Sequence, residues 1–460
     1  MAMSAPEPAP AAAPGADAHG AGAPHVLYVA WGYPPSRSAG MYRALATANA
    51  FARDGWRVTV LTTTRETFER LTGSDPESEA SIDPRVTVVR IPFDAERSDD
   101  DLANWSRLRV YSALLWTALR WIPAWFSYPE RSYGGWKKPL VAAAEAIHRE
   151  HPVDLVVGSA NPNVDFAPGW HLHRRYGVPY VMDHRDAWHL DVYSGRRTAS
   201  RLSRSSRLES RMFAGSTEGW FVNAPIRDWH AGEHPAKADD FHVVANGFDP
   251  EFLQTDRDRA PDPEAGLVFG YLGTIYGPIP LRETLDAWRL ARTRSPLLAR
   301  SRLVVRGRLG HFAEPDTAVA ELLDAYRADG VSYEGPVSKT GVSSVYRSFD
   351  ALLLIISRSP YVTSGKVFEY AASGLPIAAL HDPVTAATSV LAGHPTRFGV
   401  DAVDVEQFAQ ALITTGESAA AQSPENIAAT QQWARQFARD EQLAPRIRAL
   451  RAVAEKAAAR

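Results

Sequence analysis

The sequence predicts an α/β protein built from two doubly wound parallel sheets in tandem. Three observations carry this. Short apolar runs of strand length alternate with helically spaced segments along most of the chain. The alternation breaks at one charged, proline-rich stretch and then restarts with the same grammar. And 460 residues are too many for one ordinary core.

The elements follow in order. Residues 1–24 are rich in Ala, Pro and Gly, with no basic start and no continuous apolar run. They read as a disordered tail, not a signal peptide. Residues 25–30 form an apolar strand, then a Gly/Pro/Ser loop. "MYRALATANAFARDG" is a helix stopping at Gly55, and "WRVTVLTT" a second strand. The strands "VDLVVGSA", "VPYVMDH", "GWFVN" and "HVVANGFD", with the helix "FAPGWHLHRRYG", complete a first domain over 25–253. The break "QTDRDRAPDPEAG" is the linker, 254–266. Beyond it the strands "LVFGYLG", "SRLVVRG", "VSYEG" and "DALLLII" alternate with helices in a second domain over 267–430. Residues 431–460 read as a helical segment, interrupted at Pro445, that packs back toward the first domain.

Bulk properties exclude several classes. A net charge of −3 argues against a general nucleic-acid binder and against peripheral membrane contact. With no cysteine there is no disulfide, thiolate metal site or cysteine nucleophile. No apolar run reaches the ~18 residues of a membrane span; the nearest is broken by Arg120 and Pro123. The expected location is cytoplasmic. The histidines show no metal-ligand spacing, and there is no P-loop, G-x-S-x-G elbow or G-x-G-x-x-G loop.

Chemistry concentrates in "YVTSGKVFEYAASGLPIAAL", residues 361–380. Ser364, Gly365 and Lys366 stand where a helix begins, and helix starts attract phosphate through unpaired N–H groups and partial positive charge. Glu369, one turn in, can accept two hydroxyl hydrogen bonds from a ribose. An ordinary helix with a Lys366–Glu369 pair is the plain alternative. "SRSAG", ending at Gly40, fills the first strand–helix loop, where backbone N–H groups can approach a ligand or simply form a tight turn. "DHRDAWH" brings Asp183, His184, Arg185 and Asp186 to a strand end, expected to face the crevice between domains. The same residues suit a salt-bridged network. The aromatic stretch 105–136 reads as a helical insertion packed on the first domain; an apolar acceptor pocket and a membrane-touching surface are the alternatives.

"GKVFEYAASGLPIAAL" resembles the K-x-x-E-Y-x-x-x-G-x-P element of glycosyltransferase family 4, retaining nucleotide-sugar glycosyltransferases with the GT-B fold. "YPPSRSAGMYRALATANAFARDGWRVTVLT", "GVPYVMDHRDAW", "VVANGFDPEF" and "YEGPVSKTGVSSVYRSFDALLLI" are similar to further elements of that family in the same order, and together cover about residues 25–450. The resemblance implies a GT-B glycosyltransferase of the retaining kind, with a nucleotide diphosphate sugar as donor, a small-molecule or lipid-linked acceptor, and no metal or other cofactor. It implies a sugar contact for His184, with Lys366 and Asp186 as further catalytic candidates. Gly40, Gly273, Thr274, Arg306, Ser364, Gly365 and Glu369 become nucleotide-binding candidates. Two departures stand out. Tyr361 occupies the place of the family's first glutamate, and Thr274 and Ile279 that of its arginine and lysine clamp, so Lys366 and Arg306 are the replacement cations. A noncatalytic partner, or an epimerase or hydrolase of the same fold, are the alternative functions.

Overall fold

The structure is a computed structural model that describes residues 22–93, 105–130, 132–250, 261–275, 277–310, 316–337 and 341–458. The tail expected at 1–24 and the linker expected at 254–266 lie largely outside these residues.

The first domain holds seven parallel strands: β1 (His25–Val29), β2 (Arg57–Thr63), β3 (Val86–Ile91), β4 (Leu155–Ala160), β5 (Tyr180–His184), β6 (Glu218–Phe221) and β7 (Phe241–Val243). Their spatial order is β3-β2-β1-β4-β5-β6-β7. The second domain holds six: β8 (Val268–Leu272), β9 (Arg302–Arg306), β10 (Val331–Tyr333), β11 (Ala351–Leu354), β12 (Ile377–Ala379) and β13 (Arg397–Gly399), ordered β10-β9-β8-β11-β12-β13. Every residue of β1, β4, β8 and β11 is buried, as near-continuous apolar runs covered by helices on both faces require. Separate apolar clusters lie on the two faces of each sheet.

The strand orders reverse between β1 and β4 in one domain and between β8 and β11 in the other. Open α/β sheets bind ligands at such switch points, outside the strands' carboxyl ends. The two sets of carboxyl ends meet. Ser359, in the loop after β11, donates to the Val192 carbonyl beyond β5 (2.5 Å). Asn223, just after β6, donates to the Tyr361 carbonyl (2.7 Å) and to Thr363 Oγ1 (3.0 Å). Tyr361 thus belongs to the seam between domains.

The chain returns to its starting domain at the end. Phe248 bridges Ala438 in parallel, and Arg439 pairs with Asp249. The helix Arg439–Ala458 then lays Leu443, Ile447 and Leu450 on the cluster containing Val26, Tyr28 and Phe51. The expected interruption at Pro445 does not occur: the break falls earlier, in a tight turn over Arg435–Phe437, and the helix runs through Pro445. Pro445 and Glu441, whose carbonyl loses its helical partner, are both exposed, so that carbonyl is open to solvent.

Buried neutral histidines link this core to pH. His25 ties β1 to β2 through Thr59 Oγ1 (2.9 Å). Desolvation holds His25, His381 and His394 down at about 4. Each stays neutral when folded but protonates near 6.5 when unfolded, so its contribution is complete above that value and is lost as pH falls toward 4. At pH 5.5 each costs about 1.4 kcal/mol. The buried carboxyls Glu130 and Asp165, raised by burial, act in the opposite sense over the same range, so the histidine contribution is read by difference. His394→Gln is expected to lessen the loss of melting temperature between pH 6.5 and 5 relative to the unchanged chain; an identical profile by calorimetry contradicts this.

Candidate functional site

The second domain's crevice is built on the helix Lys366–Ser373, which buries Val367, Phe368, Tyr370 and Ala371 and stops at Gly374 in the left-handed region. Tyr370 fastens it to the sheet: its hydroxyl accepts the Leu272 backbone N–H (2.8 Å) at the end of β8. Lys366 therefore crosses Gly273, the next residue. Gly273 has a φ of +144°, which favours glycine, and Lys366 lies across it, with Cε and Nζ each 2.9 Å from where a Cβ would stand. Lys366 Nζ donates to Tyr271 Oη (2.5 Å) and stands 4.2 Å from the centre of that ring; Tyr271 in turn donates to the Thr274 carbonyl (3.0 Å). Desolvation pulls the Lys366 pKa down to about 7, against the pull of the Glu369 carboxylate. Glu369 accepts from Tyr346 (3.2 Å).

Gly365 caps this helix with no side-chain hydrogen bond. Its φ of −55° suits any residue, and a Cβ there would meet no atom within 4 Å. Nothing in the chain itself demands glycine at that point, whereas a ligand approaching the backbone would. Ser364, Thr274 and Lys366 line the same small pocket, with Tyr271 and Ile279. Arg306 is ion-paired with Glu334 (2.5 Å), and its backbone carbonyl receives the Gly273 N–H (2.9 Å). The guanidinium expected to clamp phosphate is thus already engaged by a carboxylate.

The first domain's crevice is built on the helix Gly40–Arg53, which has no side-chain cap and no acid in its first turn. A Cβ on Gly40 would lie 1.5 Å from Arg185 Nη1, so the guanidinium lies directly against the start of this helix. Arg185 also donates to the carbonyls of Ala160 (2.7 Å) and Asn161 (3.2 Å), joining the ends of β4 and β5 to this helix start. A cation pressed on the positive end of a helix dipole is a locus that an anion would compensate. Asp186, beside it, is exposed and accepts from Asn161 Nδ2 (3.1 Å). Beneath lie two carboxylates. Glu130 accepts the N–H groups of Asn163 and Val164, both at 2.7 Å, and desolvation lifts it to about 7. Asp165, fully buried, accepts the Trp31 N–H (2.7 Å), and desolvation pushes it well above the usual carboxylate range.

Two residues expected in the crevice are elsewhere. His184 is 0% exposed, enclosed by the rings of Phe166, Phe213, Phe221 and His230 at 4.7–5.3 Å, and burial drives its pKa well below the ordinary value. It alternates onto the same face of β5 as Tyr180 and Met182, so no donor sugar reaches it. Asp183, on the opposite face, is fully buried in a salt bridge with Arg43 (2.6 Å). Arg43 also donates to the carbonyls of Val244 (2.9 Å) and Ala245 (3.2 Å). Tyr271 and Arg43 were missed: one sits in an apolar strand and the other on a helix's inner face, where composition carries no signal of polar work. Among the described residues no three His, Asp or Glu side chains are placed to hold a metal ion.

Residues 39–247 match the family described as glycosyl transferase 4-like domain. No curated protein sequence matches. Among solved structures, HepE from Anabaena in complex with UDP and glucose is 14% identical, covering 93% of this chain and 99% of its own, with a TM-score of 0.56. A glycosyltransferase from Rickettsia africae is 11% identical over 94% and 99%, with a TM-score of 0.58. A UDP-N-acetylglucosamine 2-epimerase is 14% identical over 92% and 94%, with a TM-score of 0.51. The chain thus has the two-domain, glycosyltransferase-like GT-B fold.

Removing one side of the buried Arg43–Asp183 pair strands the other charge. Arg43→Met is expected to cost about 3–5 kcal/mol in denaturant unfolding; a loss under about 1 kcal/mol contradicts the geometry.

Proposed function

We propose that the chain is a retaining, metal-independent glycosyltransferase that moves a sugar from a nucleoside diphosphate sugar to an acceptor hydroxyl or amine. The observation that carries this reading is Lys366. It is a desolvated cation at an uncapped helix start, at the switch point of the second sheet, beside a glycine that the chain itself does not need. The matched family description and the UDP held by the HepE structure support the same reading.

The hard step is cleavage of the anomeric C–O bond as negative charge grows on the departing diphosphate. The Lys366 ammonium and the N–H groups of its helix start stabilise that charge in place, without reorganisation. Glu369, one turn further, holds the ribose hydroxyls; Tyr346 orients its carboxylate. Arg185 and the Gly40 helix offer a second positive locus from the first domain, and Asp186 a carboxylate for an acceptor hydroxyl. In front-face attack the acceptor oxygen bonds the anomeric carbon on the side the phosphate leaves, and the departing phosphate oxygen takes the acceptor proton. His184 has no part in this. An epimerase or hydrolase reading is separated by product analysis with labelled donor: transfer to an added acceptor is required here.

Lys366→Met is expected to lower turnover by 10²-fold or more, as loss of one oxyanion-type donor does, with unchanged melting temperature; near-normal turnover sinks the assignment. Gly365→Val is expected to fold normally yet weaken nucleoside diphosphate binding at least tenfold. A bound diphosphate raises the Lys366 pKa from about 7. Binding should therefore take up a proton above pH 7, and affinity should fall as pH rises. Calorimetry in buffers of different ionisation enthalpy reads this directly; no proton uptake, or equal uptake in Lys366→Met, contradicts it.

A further inference from the structure

Of the aromatic stretch 105–136, expected to pack on the first domain, Tyr128 and Trp136 do enter its core and Trp116 is buried, but most of residues 107–127 is not packed. It forms two helices, Arg107–Tyr111 and Ala113–Ser127, and the longer buries only Trp116 and Ala124. Tyr111 is 86% exposed, Leu114 87% and Phe126 64%, with Leu115, Leu119 and Ile122 all above half. Nine of the 16 exposed large apolar side chains among the described residues fall between positions 108 and 126. Soluble monomers rarely leave so much contiguous apolar surface in water.

Charge says what covers it. Residues 105–127 contain three arginines and no acid. At the end of the Ala113 helix the face continues onto a second one: Arg204 lies 4.8 Å from the centre of the Phe126 ring and donates to its carbonyl (3.2 Å). Arg204 opens the helix Arg204–Gly215, and Arg207 and Arg211 follow at i+3 and i+7 on the same exposed face. The one acid of this helix, Glu209, is 1% exposed on the opposite side. The net charge of −3 speaks against membrane contact only for the chain as a whole; locally, an apolar wedge flanked by an arginine stripe complements a negatively charged, partly apolar surface. The 15-residue helix is about 22 Å long, too short to span a hydrocarbon core. Its hydrophobic side suits burial in the plane of the interface.

The wedge is wired to the first domain's crevice. The turn after it supplies Tyr128, which donates to the Asn163 carbonyl (2.8 Å), and Glu130, which binds the N–H groups of Asn163 and Val164. These residues shape the loop after β4, the floor beside Arg185 and Asp186.

We infer that the helices Arg107–Tyr111 and Ala113–Ser127, with the Arg204–Arg207–Arg211 stripe, dock the protein on a bilayer containing anionic lipid. The surface places the first domain's crevice at the membrane, whatever chemistry the crevice performs. Flotation of the full chain with vesicles tests it. Binding is expected to vesicles of phosphatidylcholine with 30–40% phosphatidylglycerol, and to fall at least tenfold on pure phosphatidylcholine. Leu114→Glu with Leu119→Glu should abolish binding while circular dichroism and melting temperature stay unchanged, since both positions are exposed. The triple change of Arg204, Arg207 and Arg211 to Glu should remove the preference for anionic lipid. Absence of vesicle binding, or undiminished binding by either variant, overturns the inference. So does a dimer that the leucine changes dissociate while wild-type protein ignores vesicles, which would make the face a contact between copies.

Discussion

Everything in the second domain's crevice rests on the placing of one lysine over one glycine. Gly273 ends β8 without a side chain, and Lys366 occupies the space. Tyr370 holds the helix at the height that makes this possible, by taking the Leu272 N–H from the same strand end. The lysine is thereby desolvated and oriented at once. Burial makes its charge costly without an anion, and the Tyr271 hydroxyl partly compensates. In the proposed function a phosphate supplies the counter-charge that this cation lacks.

The domain arrangement serves the same end. Two sheets with reversed strand order each open a crevice at their carboxyl edge, and the β11 loop joins those edges through Asn223 and Val192. The final helix crosses back and closes the first domain's core, so the domains are tied twice, once near the crevices and once behind them. Within that frame Arg185 stands on the Gly40 helix start as Lys366 stands on its own. Each crevice thus pairs a fixed cation with a helix N-terminus, and the charge that grows on a diphosphate during bond cleavage is the kind of charge such pairs stabilise.

Much of this was legible in the sequence, for reasons particular residues make clear. Strands such as "HVLYV" and "DALLLII" are apolar on both faces, and only a covered parallel sheet uses such runs. The start of the Lys366 helix was legible because Ser364 and Gly365 break the pattern before it and Gly374 ends it. His184 was misplaced because period-two alternation says that neighbours in β5 face opposite ways but not which face meets the aromatic core. Arg306 looked available because Glu334 is 28 residues away in sequence and only strand pairing brings them together. Tyr271 could not be read at all: a tyrosine in an apolar strand looks like core, and its hydroxyl gains meaning only once Lys366 lies across it. The stretch 105–136 was read as packed because aromatic content speaks for burial; that holds for Tyr128 and Trp136, whereas the arginine stripe that matches the exposed face of its first part comes from a helix some eighty residues later.

The central claim is that a diphosphate sits at the Lys366 helix start. A crystal structure of the chain with UDP, GDP or dTDP tests it most directly. The account requires phosphate oxygens within hydrogen-bond distance of Lys366 Nζ and the Gly365 backbone, with the ribose on Glu369 and the lysine turned away from Tyr271. A nucleotide bound elsewhere, with Lys366 still on Tyr271, would contradict it.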